Sequence, residues 1–153
     1  MYLVQAFLAG LALVGILTAQ EALTSGSIVI VAAVASSVAI VFFVPHSVTS
    51  NPVRIIGGHI SAILAAGCIV GLMLLMPDSV SSNQWVVHVM EGASLSVVIL
   101  FMTITNTEHT PAAGTAIGLA TSISINSIVF VVSAAVVISI VRIVLHKRLH
   151  NLI

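Results

Sequence analysis

Apolar stretches long enough to cross a bilayer, joined by connections too short to fold on their own, leave this chain few architectures. A crossing helix needs about 20 largely apolar residues to span a hydrocarbon core of roughly 30 Å. Five stretches qualify: Tyr2–Thr18, Ser27–Val44, Arg54–Met76, Trp85–Ile104 and Pro111–Leu145, punctuated by AQEALTSG, PHSVTSN, PDSVSSNQ and TNTEHT. Four Lys or Arg and four Asp or Glu among 153 residues, with a mean hydropathy of +1.28, is a balance that no water-facing surface sustains. The expectation is an all-α membrane protein of about five transmembrane helices, one domain over residues 1–153, with neighbouring helices antiparallel and no separate soluble domain.

The same composition narrows function. Without a Lys/Arg run or net charge the electrostatic footprint of a nucleic-acid binder is missing. Cys68 stands alone in an apolar run, so it makes no internal disulfide and completes no sulfur-rich metal site. No GxSxG, HExxH or Gly-rich nucleotide loop occurs, and no HxxxH pair puts two histidines on one turn. An enzyme, a cofactor and a metal are therefore not expected. No basic residue precedes the first apolar stretch, which reads as a retained helix rather than a cleaved leader.

The fifth stretch is anomalous. Its 35 residues would make one helix of about 52 Å at 1.5 Å per residue, too long for a simple crossing. The cluster Thr121, Ser122, Ser124, Asn126 and Ser127 is where such a helix would break. Arg142, Lys147 and Arg148 lie in or beside the C-terminal tail, which predicts a cytoplasmic C-terminus. Five crossings then put the N-terminus outside, with the PHSVTSN and TNTEHT loops together on the outer side. A shift of 59 positions pairs Ser37 with Ser96, Val38 with Val97, Ile40 with Ile99, Phe42 with Phe101 and Pro52 with Pro111. That pattern suggests a duplicated hairpin of helix, loop and proline-opened helix.

Both prolines follow a side-chain oxygen, in Asn51-Pro52 and Thr110-Pro111, the combination of N-cap and first helical residue. Two helix starts converging would form a pocket for a small anion, with backbone N–H groups and the positive end of each helix dipole turned toward it. Residues that lipid-facing helices avoid gather there: His46, Arg54, Gly57, Gly58 and His59 at the first start, then Asn106, Glu108, His109, Gly114 and Thr115 at the second. The alternative is that these are loop and interface groups, with Arg54 reaching headgroups and the glycines easing helix packing. Gly67/Gly71 and Gly114/Gly118 form two GxxxG spacings, which more often mark helix contact than ligand binding. His88 and Glu91, three apart, share one helical face, and with Glu108 they are candidates for a proton relay; a purely structural polar pair is the competing reading.

The segment EHTPAAGTAIGLA, Glu108 to Ala120, resembles the signature of the HPP family of small integral membrane proteins, and NPVRIIGGHISA, Asn51 to Ala62, resembles that family's second recurring segment. On this resemblance the motif histidine falls on His109, its final proline on Pro111, the helix start on Ala112, Ala113, Gly114 and Thr115, and the Gly-Gly-His on Gly57, Gly58 and His59. Thr110 stands where the family usually has its first proline, and Arg54 comes one place later than in that pattern. The resemblance implies a transporter, and relatives are associated with nitrite.

The leading expectation is a small-anion transporter or channel in a prokaryotic cytoplasmic membrane, with nitrite the favoured substrate. Asn51, Arg54, Gly57, Gly58, His59, His109, Thr110, Gly114 and Thr115 would line the site. The alternatives are a proton-linked cation carrier using Glu91, Glu108 and the histidines, and a structural membrane subunit that transports nothing. Five short helices barely enclose a path alone, so a homo-oligomer is expected.

Overall fold

The computed structural model of the chain describes residues 2–23 and 27–152. All regular structure among them is helical: α1 (Tyr2–Leu23), α2 (Ile28–Phe43), α3 (Pro52–Leu74), the single turn α4 (Asp78–Ser81), α5 (Gln84–Thr105), α6 (Pro111–Ser122) and α7 (Ile125–Leu145), with a 3-10 turn at Val48–Ser50. By length and composition α3, α5 and α7 can each cross a membrane, while Leu3–Thr18 and Ile28–Phe43 are shorter apolar helices.

The long fifth stretch is broken where its polar cluster lies. Ile123 and Ser124 are extended, and Ser124 Oγ accepts from Ser127 N at 3.0 Å to open a new helix. A Ser at an N-cap satisfies a donor that the interrupted helix would otherwise leave bare. At 12 residues α6 is about 18 Å long, little more than half a bilayer core.

The break changes the topology. An odd number of crossings would separate the chain ends, but α6 and α7 form a hairpin, and one more reversal returns the tail to the face where α1 begins. Gln5 on α1 donates both to the carbonyl of Phe42 at the end of α2 and to that of His150, the latter at 2.8 Å. His46 Nε2 lies 3.1 Å from the Leu149 carbonyl, and Leu152 N donates to Phe43 O at 2.8 Å. The PHSVTSN and TNTEHT loops do share a face, as expected, but it is the face of the C-terminal tail rather than the opposite one.

The centre is built two by two. Helices α3 and α6 run side by side in the same direction, with α2 packed on α6 and α5 on both α3 and α6. The expected duplication does not extend to the packing, because among the described residues α5 lies against α6 whereas α2 does not lie against α3 in the same way. Gly118 makes the α2–α6 contact close: a Cβ there would stand 2.7 Å from Ile30 Cγ1 and 3.2 Å from Ile30 N. Gly67 and Gly71 have nothing within 4 Å, so of the two GxxxG spacings only the second carries a helix contact among the described residues. Helix α5 is thinly covered, burying only Ser94, Val98 and Met102.

Candidate functional site

The first helix start behaves as its residues predict. Asn51 is extended, its Oδ1 accepts from Val53 N at 3.0 Å, and its carbonyl accepts from Arg54 N and Ile55 N, both at 2.9 Å. Pro52 has no N–H, so the first-turn donors of α3 are already engaged. The second start departs from expectation. Thr110 has helical backbone angles and makes no side-chain cap bond. The helical hydrogen bonding begins one residue earlier, with Ala112 N donating to the His109 carbonyl at 2.9 Å, so Thr110 is drawn into the turn instead of capping it. Its side chain turns outward to a groove between α2 and α6 that Gly114 also borders.

A glycine pair lets the second loop sit on α3. A Cβ on Gly57 would lie 2.5 Å from Thr107 Cγ2, and one on Gly58 would lie 2.7 Å from His109 Cβ and 3.1 Å from the Thr107 carbonyl. The loop is aimed there by Asn106, whose left-handed backbone (φ 54°) ends α5 while Thr107 N reaches back to Met102 O at 2.9 Å. Above the glycines, the Arg54 guanidinium pairs with Glu108 and donates to Asn106 Oδ1 at 2.7 Å.

Beneath that pair lies a buried polar chain. His109 Nδ1 is 3.0 Å from the Thr49 carbonyl, and its Nε2 is 3.0 Å from Ser37 Oγ. Ser37 Oγ is also 3.1 Å from His59 Nε2, and His59 Nδ1 is 3.1 Å from Thr115 Oγ1. The two rings stand edge to face, centroids 5.4 Å apart. Ser37, His59, His109 and Thr115 are each at most 1% exposed. Burying four polar side chains in an apolar bundle is tolerable only because each is hydrogen-bonded.

The bonding directions follow from the groups themselves. A carbonyl only accepts, so His109 Nδ1 carries hydrogen. With neutral rings, Ser37 then donates to His109 Nε2, accepts from His59 Nε2–H, and Thr115 donates to His59 Nδ1. All links point one way, from Thr115 to Thr49. Alongside the chain pack Ala62, Ala65, Ala112 and Ala116 with Val98 and Met102. A recess of about 570 Å³ opens between the far ends of α3 and α6, bordered by Asp78, Ser81, Ser82, Thr121 and Ser122.

The sequence pattern described as "HPP, transmembrane region" matches residues 1–152. The chain belongs to the HPP family. No curated protein and no solved structure matches it. In this HPP protein the two family-like segments meet: His59 and His109 face one hydroxyl, while Arg54 and Glu108 close the surface above them. Asn51, Gly57 and Gly58 shape the site without lining it, and Thr110 and Gly114 lie on the other side of α6.

The candidate relay does not form one path. His88 Nδ1 lies 3.2 Å from Glu91 Oε2, but near the start of α5, whereas Glu108 follows its other end; the helix from His88 to Thr105 spans about 26 Å. Two members of the chain escaped sequence reasoning. Ser37 is one of many serines in apolar helices, and Thr49 contributes only a backbone carbonyl, which no side-chain pattern encodes.

Proposed function

We propose that this HPP protein transports a small anion, with nitrite the favoured substrate. The observation that carries the reading is a cation beside a buried polar chain: Arg54 pairs with Glu108, the neighbour of His109, one helical turn before Gly58, where His109 packs and the buried Ser37, His59 and His109 begin. The resident partner of Arg54 is itself a clue to substrate shape. Glu108 offers a planar, two-oxygen anion to the guanidinium fork, and nitrite presents the same bent O–X–O geometry. An arriving anion would exchange with Glu108, whose side chain is 48% exposed and so loosely held. Because the first-turn donors of α3 and the ring N–H groups of His59 and His109 are engaged locally, attraction comes from Arg54 and the helix dipoles.

The distribution of charge supports an orientation. All four Lys and Arg side chains, Arg54, Arg142, Lys147 and Arg148, belong to the loop-and-tail face, while Glu21 and Asp78 belong to the other. By the preference of basic residues for the cytoplasmic side, the Arg54 mouth faces the cytoplasm, together with both described ends of the chain.

The test is nitrite flux into proteoliposomes. Uptake above protein-free vesicles is expected for the native chain, and its loss when Arg54→Gln and His109→Gln are combined. Equal flux in the double variant, or a flux that does not distinguish nitrite from chloride and from potassium, overturns the assignment.

A further inference from the structure

We propose that the His59–Ser37–His109 chain is a proton-binding site, and that a proton is bound together with the anion. The identity of the anion rests on the transport reading above; the proton site rests on its own geometry.

Ser37 is what allows two states. Its Oγ touches three groups: His59 Nε2 at 3.1 Å, His109 Nε2 at 3.0 Å and the carbonyl of Ala33 at 3.2 Å. With both rings neutral, the hydroxyl hydrogen points to His109 Nε2 and the Ala33 carbonyl keeps only its helical bond. When a proton adds to His109 Nε2, forming the new N–H bond of an imidazolium, the hydroxyl turns to the Ala33 carbonyl. Ser37 Oγ then accepts from both Nε2–H groups with its two lone pairs. Every donor and acceptor of the chain is paired before and after, and only hydrogen atoms move. A serine hydroxyl shared between two imidazoles and a helix carbonyl therefore stores one proton without repacking the core.

The surroundings tie that proton to an anion. His109 meets the Thr49 carbonyl from the 3-10 turn, Ser37 from α2, and His59 and Gly58 from α3; within its own loop Glu108 is adjacent. The charged groups among these neighbours are Arg54 and Glu108, and they neutralise each other. A buried imidazolium thus has no unengaged counter-charge, and an uncompensated buried charge is strongly disfavoured. An anion that takes the place of Glu108 on Arg54 frees that carboxylate and brings a negative charge over His109. Anion and proton then stabilise each other, and by reciprocity each raises the affinity for the other by the same factor.

Two measurements test this. In the full-length protein in lipid nanodiscs with 15N-histidine, His59 is expected as the Nε2–H tautomer and His109 as the Nδ1–H tautomer, with nitrite driving His109 to imidazolium. Identical tautomers for the two rings, or no change with nitrite, overturns the proton site with no variant required. In proteoliposomes at zero membrane potential, a pH gradient is expected to concentrate nitrite about tenfold per pH unit. Ser37→Ala is expected to abolish that accumulation and to remove the nitrite-driven imidazolium signal of His109. If the native chain moves nitrite regardless of the gradient, the coupling is overturned and the transport reading stands. If it moves no nitrite at all, the transport reading falls first and the coupling with it.

Discussion

Replacing Ser37 by alanine is the most direct probe of the buried chain, because one oxygen serves two imidazoles. Without it, His59 Nε2–H loses its acceptor and His109 Nε2 loses its donor, in rings that are 1% and 0% exposed. Each buried polar group left unpaired costs about 1–3 kcal/mol. Two of them give about 2–6 kcal/mol, and the lower half of that range is expected, because reorienting the rings recovers part of one bond. The internal control is Ser96→Ala, the position 59 residues on, where the hydroxyl is exposed and bonds only to its own helix at Gly92 O, 3.1 Å away. That change is expected to stay within about 0.5 kcal/mol of native. Reversible unfolding of both variants in mixed micelles, or by steric trapping in bicelles, gives the comparison. A Ser37→Ala loss no larger than that of Ser96→Ala would refute the claim that the hydroxyl bridges the histidines.

Three further outcomes follow from the packing and the topology. Gly58→Ala forces a Cβ to 2.7 Å from His109 Cβ and 3.1 Å from a backbone oxygen; a destabilisation of about 1–3 kcal/mol is expected, with a shifted His109 15N spectrum that a purely remote effect would not produce. The two GxxxG glycines separate cleanly: Gly118→Ala, which meets Ile30, is expected to cost about 1–3 kcal/mol, whereas Gly67→Ala, with nothing within 4 Å, is expected to be neutral or to gain up to about 1 kcal/mol from helix propensity in the same unfolding assay. For topology, single cysteines at Ser47 and Lys147 in a Cys68→Ser background are expected to react with an impermeant maleimide from the same side, and Ser81→Cys from the other; labelling of Ser47→Cys and Lys147→Cys from opposite sides would refute the α6–α7 hairpin.

What the sequence determined by itself is what lipid and local chemistry impose. Long apolar runs require helices, because only these satisfy the backbone away from water. Asn51 before Pro52 caps α3, and the Ser/Thr/Asn cluster ends α6 and, through Ser124, starts α7. The Gly57-Gly58-His59 and Glu108-His109 segments were legible as places where a lipid-facing helix would not put such residues. The tertiary structure decided the rest. In lipid, a side chain facing the bilayer and one facing the bundle are equally apolar, so the periodicity that marks a core face in a soluble helix is muted here. For that reason Ser37 at the centre of the chain and exposed Ser96 look the same in sequence, as do the tightly packed Gly118 and the open Gly67. The turn at Ile123 and Ser124 could be read as a break, but only packing shows that the chain reverses there. That reversal brings the tail beside His46 and puts Arg54, Glu108 and all the remaining basic residues on one face.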